Sequence, residues 1–298
     1  MVAYLPQSEI SQEVKQGAFT CLQLDGTFIQ SNPMNKSIYT KKFISLLALA
    51  SLVALLQTGH AAPEGKKKPK LTADQVVAKH FEAMGGIAAH KKVKTRRLEM
   101  RMSMPGLFEN GRITTIQKAP DKKRNLILIP GIGETIEICD GKRAWKKEPE
   151  QAGRLLAGLE LVQALRDARF YGGIEMLTEG DVTYVKRTKI DGKAFHVLKG
   201  KYGKGSPWSG LEIQFHFDQR TYLMSRMNTI MQINGAPVAI SMMLADYKKA
   251  DGLPYPSKMT MQFGEGPAGS VPSVQMAVDK ITHGIEVDAA IFAIPGKE

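Results

Sequence analysis

Apolar and polar residues alternate along most of the chain after residue 97, and this period of two predicts β-strands. In residues 97–104, Leu98, Met100 and Met102 fall on one face, and charged or small polar residues fall on the other. The most regular alternation covers residues 211–218. Asp-Gly and Asn-Gly pairs separate the runs and are typical of hairpin turns. The pattern predicts about ten or eleven strands, most of them antiparallel to their neighbours.

Two helices are predicted before the strands and one between them. Thr72 and Gln75 have the spacing of a capping box, and the apolar stripe that follows ends at Gly85-Gly86, a pair typical of a helix end. A shorter helical piece covers 87–93. Residues 153–170 carry a broad apolar face in helical spacing, although strands surround them. This helix must cover a sheet or fill the end of a barrel, because its apolar face would otherwise remain in water.

The first 61 residues are predicted to precede the folded domain. Residues 43–56 form an apolar run that lysines precede and Gly59-His60-Ala61 follows, as in a secretory signal peptide. We expect residues 1–33 to be an upstream extension, 34–61 a signal peptide cleaved after Ala61, 62–70 a charged linker and 71–298 a single domain. An uncleaved N-terminal anchor is the alternative. The signal predicts export and a periplasmic location.

Positive charge is in excess along the whole chain. There are 41 Lys and Arg against 29 Asp and Glu, a formal net charge of +12. For an exported protein this indicates attraction to an anionic membrane surface or cell-wall polymer, or serves solubility. Nucleic acid is not an expected partner, because no recognition helix or aromatic stacking motif accompanies the charge. Cys139 is the single cysteine after the signal, so we expect no internal disulfide and a buried side chain.

Motifs for catalysis, metal binding and nucleotide binding are absent from the sequence. There is no HExxH pair and no Gly-x-Ser-x-Gly elbow, and residues 200–206 lack the ending of a phosphate-binding loop. His216 and Asp218 stand two residues apart on a strand, which favours a solvated strand face over a catalytic dyad. We therefore predict a protein that is not an enzyme and needs no cofactor or metal. An envelope hydrolase is the least favoured function.

Methionine is the distinctive apolar residue of the predicted strands. The chain has 15 Met, and most of those in strands share a face with other apolar side chains. An ordinary core is one explanation. Methionine is flexible and adapts to irregular apolar partners, however, so the pattern favours a soft cavity for acyl chains. The expected lining of this cavity is Leu98, Met100, Met102, Trp145, Leu159, Val162, Phe215, Met227, Met242 and Met261.

Two short motifs are Lys118-Ala119-Pro120 and Asp140-Gly141-Lys142-Arg143-Ala144-Trp145. They resemble the signature of the LolA/LolB-like superfamily, which includes bacterial outer membrane lipoprotein-sorting proteins. Met84-Gly85-Gly86, the turn at 191–194 and the segment 245–256 are similar to further features of the family, and together the resemblance spans most of 71–296. It implies a mainly β fold, an unclosed antiparallel β-barrel of about eleven strands, with helices covering the open mouth as a lid.

The resemblance also implies a function, with one departure. Family members shuttle acylated lipoproteins, or bind lipid, so the implied partner is an acylated lipoprotein or a lipid, with transient contacts to inner- and outer-membrane components. In the known carriers an Arg that helps to hold the lid precedes the Pro of the first motif, whereas here that residue is Ala119. Lys118 and Arg124 are the nearby basic residues, and we expect them at the rim, facing an anionic headgroup. An envelope sensor or interaction module on the same fold is the alternative function.

Overall fold

The structure is a computed structural model that describes residues 71–233, 236–266 and 271–296. The expected upstream extension (1–33), signal peptide (34–61) and charged linker (62–70) lie outside the described residues. All described residues belong to one compact unit. None of the described helices is both long enough and apolar enough to cross a membrane.

Four α-helices, one 3-10 helix and thirteen strands make up the described chain. In chain order they are α1 (Ala73–Ala83), α2 (Ile87–Lys92), β1 (Thr95–Met104), β2 (Phe108–Lys118), β3 (Lys122–Ile129), β4 (Gly133–Cys139), β5 (Ala144–Lys147), β6 (Arg154–Leu155), α3 (Gly158–Ala168), α4 (Gly172–Thr178), β7 (Asp181–Ile190), β8 (Lys193–Lys201), β9 (Glu212–Asp218), β10 (Met224–Ile233), β11 (Ala236–Ala250), β12 (Leu253–Phe263), β13 (Ser273–His283) and the 3-10 helix (Ala289–Phe292).

The thirteen described strands form one sheet in the order β6-β5-β4-β3-β2-β1-β13-β12-β11-β10-β9-β8-β7. Every pair is antiparallel, and all neighbours except β1 and β13 are consecutive strands of the chain. The edge strands β6 and β7 do not pair with each other, so the sheet is not closed. This confirms the expected unclosed antiparallel barrel with helices, although it has thirteen strands rather than about eleven.

One face of the sheet carries the helices, and we call it the inner face. Directly paired residues of neighbouring antiparallel strands point to the same face, so the register assigns the face of each side chain. From β7 to β5, the inner face includes Tyr184, Leu198, Phe215, Met227, Met242, Met261, Met276, Met102, Ile113, Ile127, Glu137 and Lys146.

Two helix clusters cover opposite parts of the inner face. In the first, Val76 of α1 and Leu177 of α4 form an apolar cluster with Phe215 of β9. In the second, Ala164 of α3 packs with Cys139 of β4. Phe215 and Cys139 are fully buried, and burying a side chain the size of Phe contributes about 1.5–3 kcal/mol. Contacts with the sheet, rather than the length of the helices, therefore stabilise these helices.

The start of α1 is as the sequence predicts. The Thr72 hydroxyl accepts a hydrogen bond from the Gln75 N–H at 3.2 Å, and the Gln75 side chain accepts one from the Thr72 N–H at 3.0 Å. This capping box satisfies two backbone donors that would otherwise lack a partner. Val76, one turn further on, is then directed into the first cluster.

The predicted helix between the strands has different bounds in the structure. The expected helix 153–170 is wrong at both ends, because residues 154–155 form β6 and a separate helix, α4, follows α3. β12 begins at Leu253 and includes Pro254 and Pro256. Both prolines pair with β11, beyond residues 258–262 over which β12 pairs with β13.

Candidate functional site

Methionines line the middle of the inner face in two rows. The first row crosses β1, β13 and β12, and the second crosses β12, β11 and β10, with direct pairing between neighbours in each row. The Cβ atoms of paired side chains lie about 4.5–5.5 Å apart, so their thioethers form a continuous apolar surface. We call this surface the methionine face: Met102, Met276 and Met259 in the first row, Met261, Met242 and Met227 in the second, and Met100.

In the part of the chain that the structure describes, the methionine face lies between the two helix clusters and neither cluster covers it fully. α1 and α4 pack over β8–β10 and α3 packs over β4 and β5. Met102 is buried, at 5% exposure, and the other six methionines are half-buried. Flexible apolar side chains that keep part of their surface in water can receive an elongated apolar ligand without a change in the sheet.

Polar side chains take the place of methionine on the inner face where β1 begins. Arg96 Nε donates to Gln117 Oε1 at 2.8 Å, and Lys123 Nζ lies 3.0 Å from Glu137 Oε1. Burial disfavours the charged form of Lys123, but the charges of Glu137 and Asp167 and the hydrogen bond to Glu137 together oppose burial, and the pKa of Lys123 is raised. Arg96 has no carboxylate partner among the described residues, and burial lowers its pKa to about 10. This end of the inner face therefore carries a cation that no carboxylate neutralises.

Arg96 also holds the connection between α3 and α4. Its Nη2 donates to the carbonyl oxygen of Phe170 at 3.4 Å, and its guanidinium lies 4.5 Å from the centre of the Phe170 ring. The Phe170 N–H in turn donates to the carbonyl oxygen of Pro120 at 2.8 Å. Although Ala119 stands where the resemblance leads us to expect an Arg, an Arg from β1 contacts the helical segment in this chain.

The structure brings most of the predicted lining residues together. Six of them lie in the middle of the inner face: Leu98, Met100, Met102, Met227, Met242 and Met261. Phe215 lies on the same face but is fully buried in the cluster with α1 and α4, so it belongs to the core beside the methionine face. Met259 and Met276 complete the rows, as the parity of their strands indicates.

Three predicted lining residues lie elsewhere. Trp145 pairs with Ile138, which places it on the outer face, where its ring packs over Gly153. Leu159 and Val162 are 74% and 47% exposed on α3. The helix approaches the sheet through its small side chain Ala164 instead, because alanines allow close contact between backbones. Helical spacing shows an apolar stripe but not which side of the stripe meets the sheet.

The two predicted rim residues also point away from the inner face. Lys118 pairs with Lys122 and Arg124 pairs with Ile116, and both pairs belong to the outer face. The basic groups of the inner face beside the start of β1 are Arg96 and Lys123. The alternation that assigns Leu98 to the inner face also assigns Arg96 to it, so the sequence contained this signal.

Other reactive groups are isolated from one another. Cys139 is fully buried, and burial raises the pKa of its thiol. The expected solvated face at His216 is wrong: the residue is 6% exposed, its Nδ1 has no hydrogen-bond partner among the described residues, and burial lowers its pKa to about 4. Across the described ranges, no three His, Cys, Asp or Glu side chains lie close enough to hold a metal ion.

Solved structures of similar fold include two bacterial proteins. A DUF1329 family protein from Desulfovibrio piger is 14% identical, with a TM-score of 0.50, and the match covers 73% of this chain and 97% of that one. A LolA superfamily protein from Nitrosomonas europaea is 14% identical, with a TM-score of 0.50, covering 76% and 99%. At this identity the likeness establishes the fold alone, and at that level it confirms the resemblance seen in the motifs. The sequence matches no family model and no curated protein.

Proposed function

We propose that the protein is a non-enzymatic periplasmic carrier that holds acyl chains of a lipid or lipoprotein on the methionine face. The observation that carries the proposal is a continuous surface of half-buried methionines, left open between two helix clusters. Removing one acyl methylene from water contributes about 0.8 kcal/mol. A chain of about a dozen carbons would therefore bind without any charged contact.

The end of the methionine face supports a cargo with an anionic headgroup. Arg96 lies on the same face and strand as Met100 and Met102, and it has no carboxylate partner among the described residues. A half-buried cation without a counter-ion attracts a carboxylate or phosphate, because an opposite charge nearby favours the charged form. The acyl chain would lie along the methionines with its headgroup towards Arg96.

The proposed role is lipoprotein or lipid sorting towards the outer membrane. Its support is the fold shared with a LolA superfamily protein and the signal peptide that the sequence predicts. The methionine face is suited to the acyl chains of either cargo, because it is apolar and adaptable rather than shaped for one headgroup.

Adjacent methionines of β11 provide the test. Met242 and Met243 are both half-buried, but Met242 pairs with Met261 on the inner face and Met243 pairs with Thr260 on the outer face. Met242→Asp should weaken uptake of a fluorescent fatty-acyl probe at least tenfold, because a carboxylate there must be desolvated by the bound chain. Met243→Asp should change uptake less than threefold. Equal losses in both variants, or no uptake by folded wild-type protein, would exclude the proposal.

An envelope interaction module is the second candidate function. Exposed apolar side chains on and beside α3, namely Leu155, Leu159 and Val162, favour it, since contiguous apolar surface marks interaction sites. Protein isolated from its native envelope separates the two functions. Lipids found by mass spectrometry after extraction support the carrier, whereas a bound protein without lipid supports the module.

A further inference from the structure

Positive charge is concentrated in one short part of the chain. Residues 91–124 contain eleven Lys and Arg and three Asp and Glu, while the net charge of the whole chain is +12. This segment covers the end of α2, β1, β2 and the start of β3. Most of the excess charge of the protein therefore comes from a small part of its sequence.

The sheet gathers these residues at one end. Thr95 pairs with Lys118, and Lys118 pairs with Lys122, so the α2–β1 connection lies beside the β2–β3 turn. Cys139 at the end of β4 pairs with Lys123, which places the β4–β5 turn at the same end. We call this region the basic end and define it by six lysines: Lys91, Lys92, Lys94, Lys118, Lys122 and Lys142.

Most lysines of the basic end are available to a partner, while Lys94 donates to the Tyr171 hydroxyl at 3.4 Å. Four are exposed, and Lys118 and Lys122 are half-buried. None of the six forms an ion pair within the part of the chain that the structure describes, although pairs occur elsewhere in the sheet. Asp140, in the β4–β5 turn, is already bound to Arg143 at 2.9 Å. Asp121 is the remaining carboxylate of these connections, and Asp251 lines a cleft with Lys92 and Lys94. The six lysines outnumber these three carboxylates, so positive charge prevails.

Exposed apolar side chains begin next to the basic end. The Leu156 N–H donates to the carbonyl oxygen of Ala144, the first residue after the β4–β5 turn, at 2.8 Å. α3 starts two residues later with Leu159 in its first turn, followed by Val162, and these are 74% and 47% exposed. α3 therefore begins beside the β4–β5 turn that carries Lys142, and no Trp, Tyr or Phe is among these exposed apolar side chains.

We propose that the basic end, with Leu159 and Val162, docks the protein on an anionic phospholipid bilayer. Lysine is depleted in protein–protein interfaces, whose binding energy rests on Trp, Tyr and Arg. A bilayer suits this surface better, because lysines attract anionic headgroups without a fixed geometry and aliphatic side chains enter the boundary with the acyl chains. The docking surface is separate from the methionine face, so it goes beyond the proposed carrier function and can be tested independently of it.

Charge-matched triple variants test the proposal on the full-length chain. Lys91→Gln, Lys92→Gln and Lys122→Gln together remove three charges from the basic end. Lys147→Gln, Lys201→Gln and Lys204→Gln remove three from exposed positions outside it. Binding is measured by co-sedimentation with vesicles of phosphatidylglycerol and phosphatidylcholine and with vesicles of phosphatidylcholine alone. The readout is the difference between the two vesicle types, which cancels any binding that does not depend on charge.

The expected result has three parts. The wild-type protein prefers anionic vesicles, the preference is lost at about 0.5 M NaCl, and the basic-end variant loses at least tenfold in partitioning, since each lysine contributes roughly fivefold. The control variant loses less than threefold. Both variants keep the wild-type circular dichroism spectrum and acyl-probe uptake, so a failure here is distinguishable from a failure of the carrier proposal.

Other outcomes overturn the docking proposal. Equal losses in the two triple variants would show attraction by net charge alone. Equal binding to both vesicle types would show that headgroup charge is irrelevant. Competition by inorganic phosphate, or binding of an acidic polypeptide but not of anionic vesicles, would assign the lysines to a phosphate or protein partner instead.

Discussion

Two buried histidines make the stability of the protein depend on pH. His80 of α1 is 6% exposed, and its Nδ1 lies 2.9 Å from the carbonyl oxygen of Tyr222. Burial lowers the pKa of His80 and of His216 from 6.5 to about 4. Because the unfolded chain takes up protons at a higher pH than the folded chain, acid favours unfolding. The free energy of unfolding therefore keeps its full value above pH 6.5 and decreases as the pH falls towards 4.

We expect each of these histidines to lower the free energy of unfolding by about 2 kcal/mol between pH 7.5 and pH 5. Urea unfolding at the two pH values measures the change. His80→Gln should be less stable than wild type at pH 7.5 but lose about 2 kcal/mol less on acidification, because Gln does not titrate. A pH dependence identical to that of wild type would contradict the assignment.

Arg96 links the sheet to the helices, because it contacts Gln117 on the sheet and Phe170 between α3 and α4. Arg96→Met should destabilise the protein by about 1.5–3 kcal/mol, the cost of losing hydrogen bonds made by a charged group. Hydrogen exchange should accelerate first in residues 157–178. Arg97→Met is the matched control, since Arg97 is exposed and its ion pair with Glu99 is worth about 1 kcal/mol or less. Similar hydrogen-exchange rates in the two variants would show that Arg96 does not hold the helical segment on the sheet.

At the scale of elements, Gly153 allows the segment before α3 to pack closely against a tryptophan ring. A Cβ at position 153 would overlap the ring of Trp145, which lies against this backbone. Gly153→Ala should therefore displace the ring, lower stability by about 1–3 kcal/mol and shift the tryptophan fluorescence. Gly173→Ala in α4 is the control, because its Cβ meets nothing within 4 Å and Ala favours a helix by about 1 kcal/mol. An unchanged spectrum in Gly153→Ala would contradict this packing.

The elements differ in how far the sequence determines them. The cap of α1 is local, so Thr72 and Gln75 were sufficient to place it. α3 is set by a long-range contact instead: the sheet accepts Ala164 and Ala168 beside Cys139 and leaves the larger Leu159 outside. The bounds of this helix depend on a partner elsewhere in the sheet and were therefore predicted wrongly.

At the scale of the whole molecule, strand parity was enough to group the methionines. Each strand alternates, and hairpin turns fix the register between neighbours, so Met227, Met242 and Met261 could be placed together. Parity does not reveal which residues the helices cover. For this reason Phe215 was expected in the lining although it is part of the core. Trp145 was misplaced because its strand is short, with only four residues from which to judge alternation.

The two faces of the sheet allow a test of the carrier proposal without any mutation. Half-buried methionines oxidise to sulfoxides in dilute peroxide, and a bound acyl chain should shield those that it covers. We expect acyl ligand to slow oxidation of Met242 and Met261 severalfold while Met243, on the outer face of β11, reacts at an unchanged rate. Peptide mass spectrometry over a time course gives all three rates in one sample. Sulfoxide formation should also weaken probe uptake, because it converts an apolar side chain into a polar one. Equal protection of Met242 and Met243 would mean that the ligand stabilises the fold generally and does not lie on the methionine face.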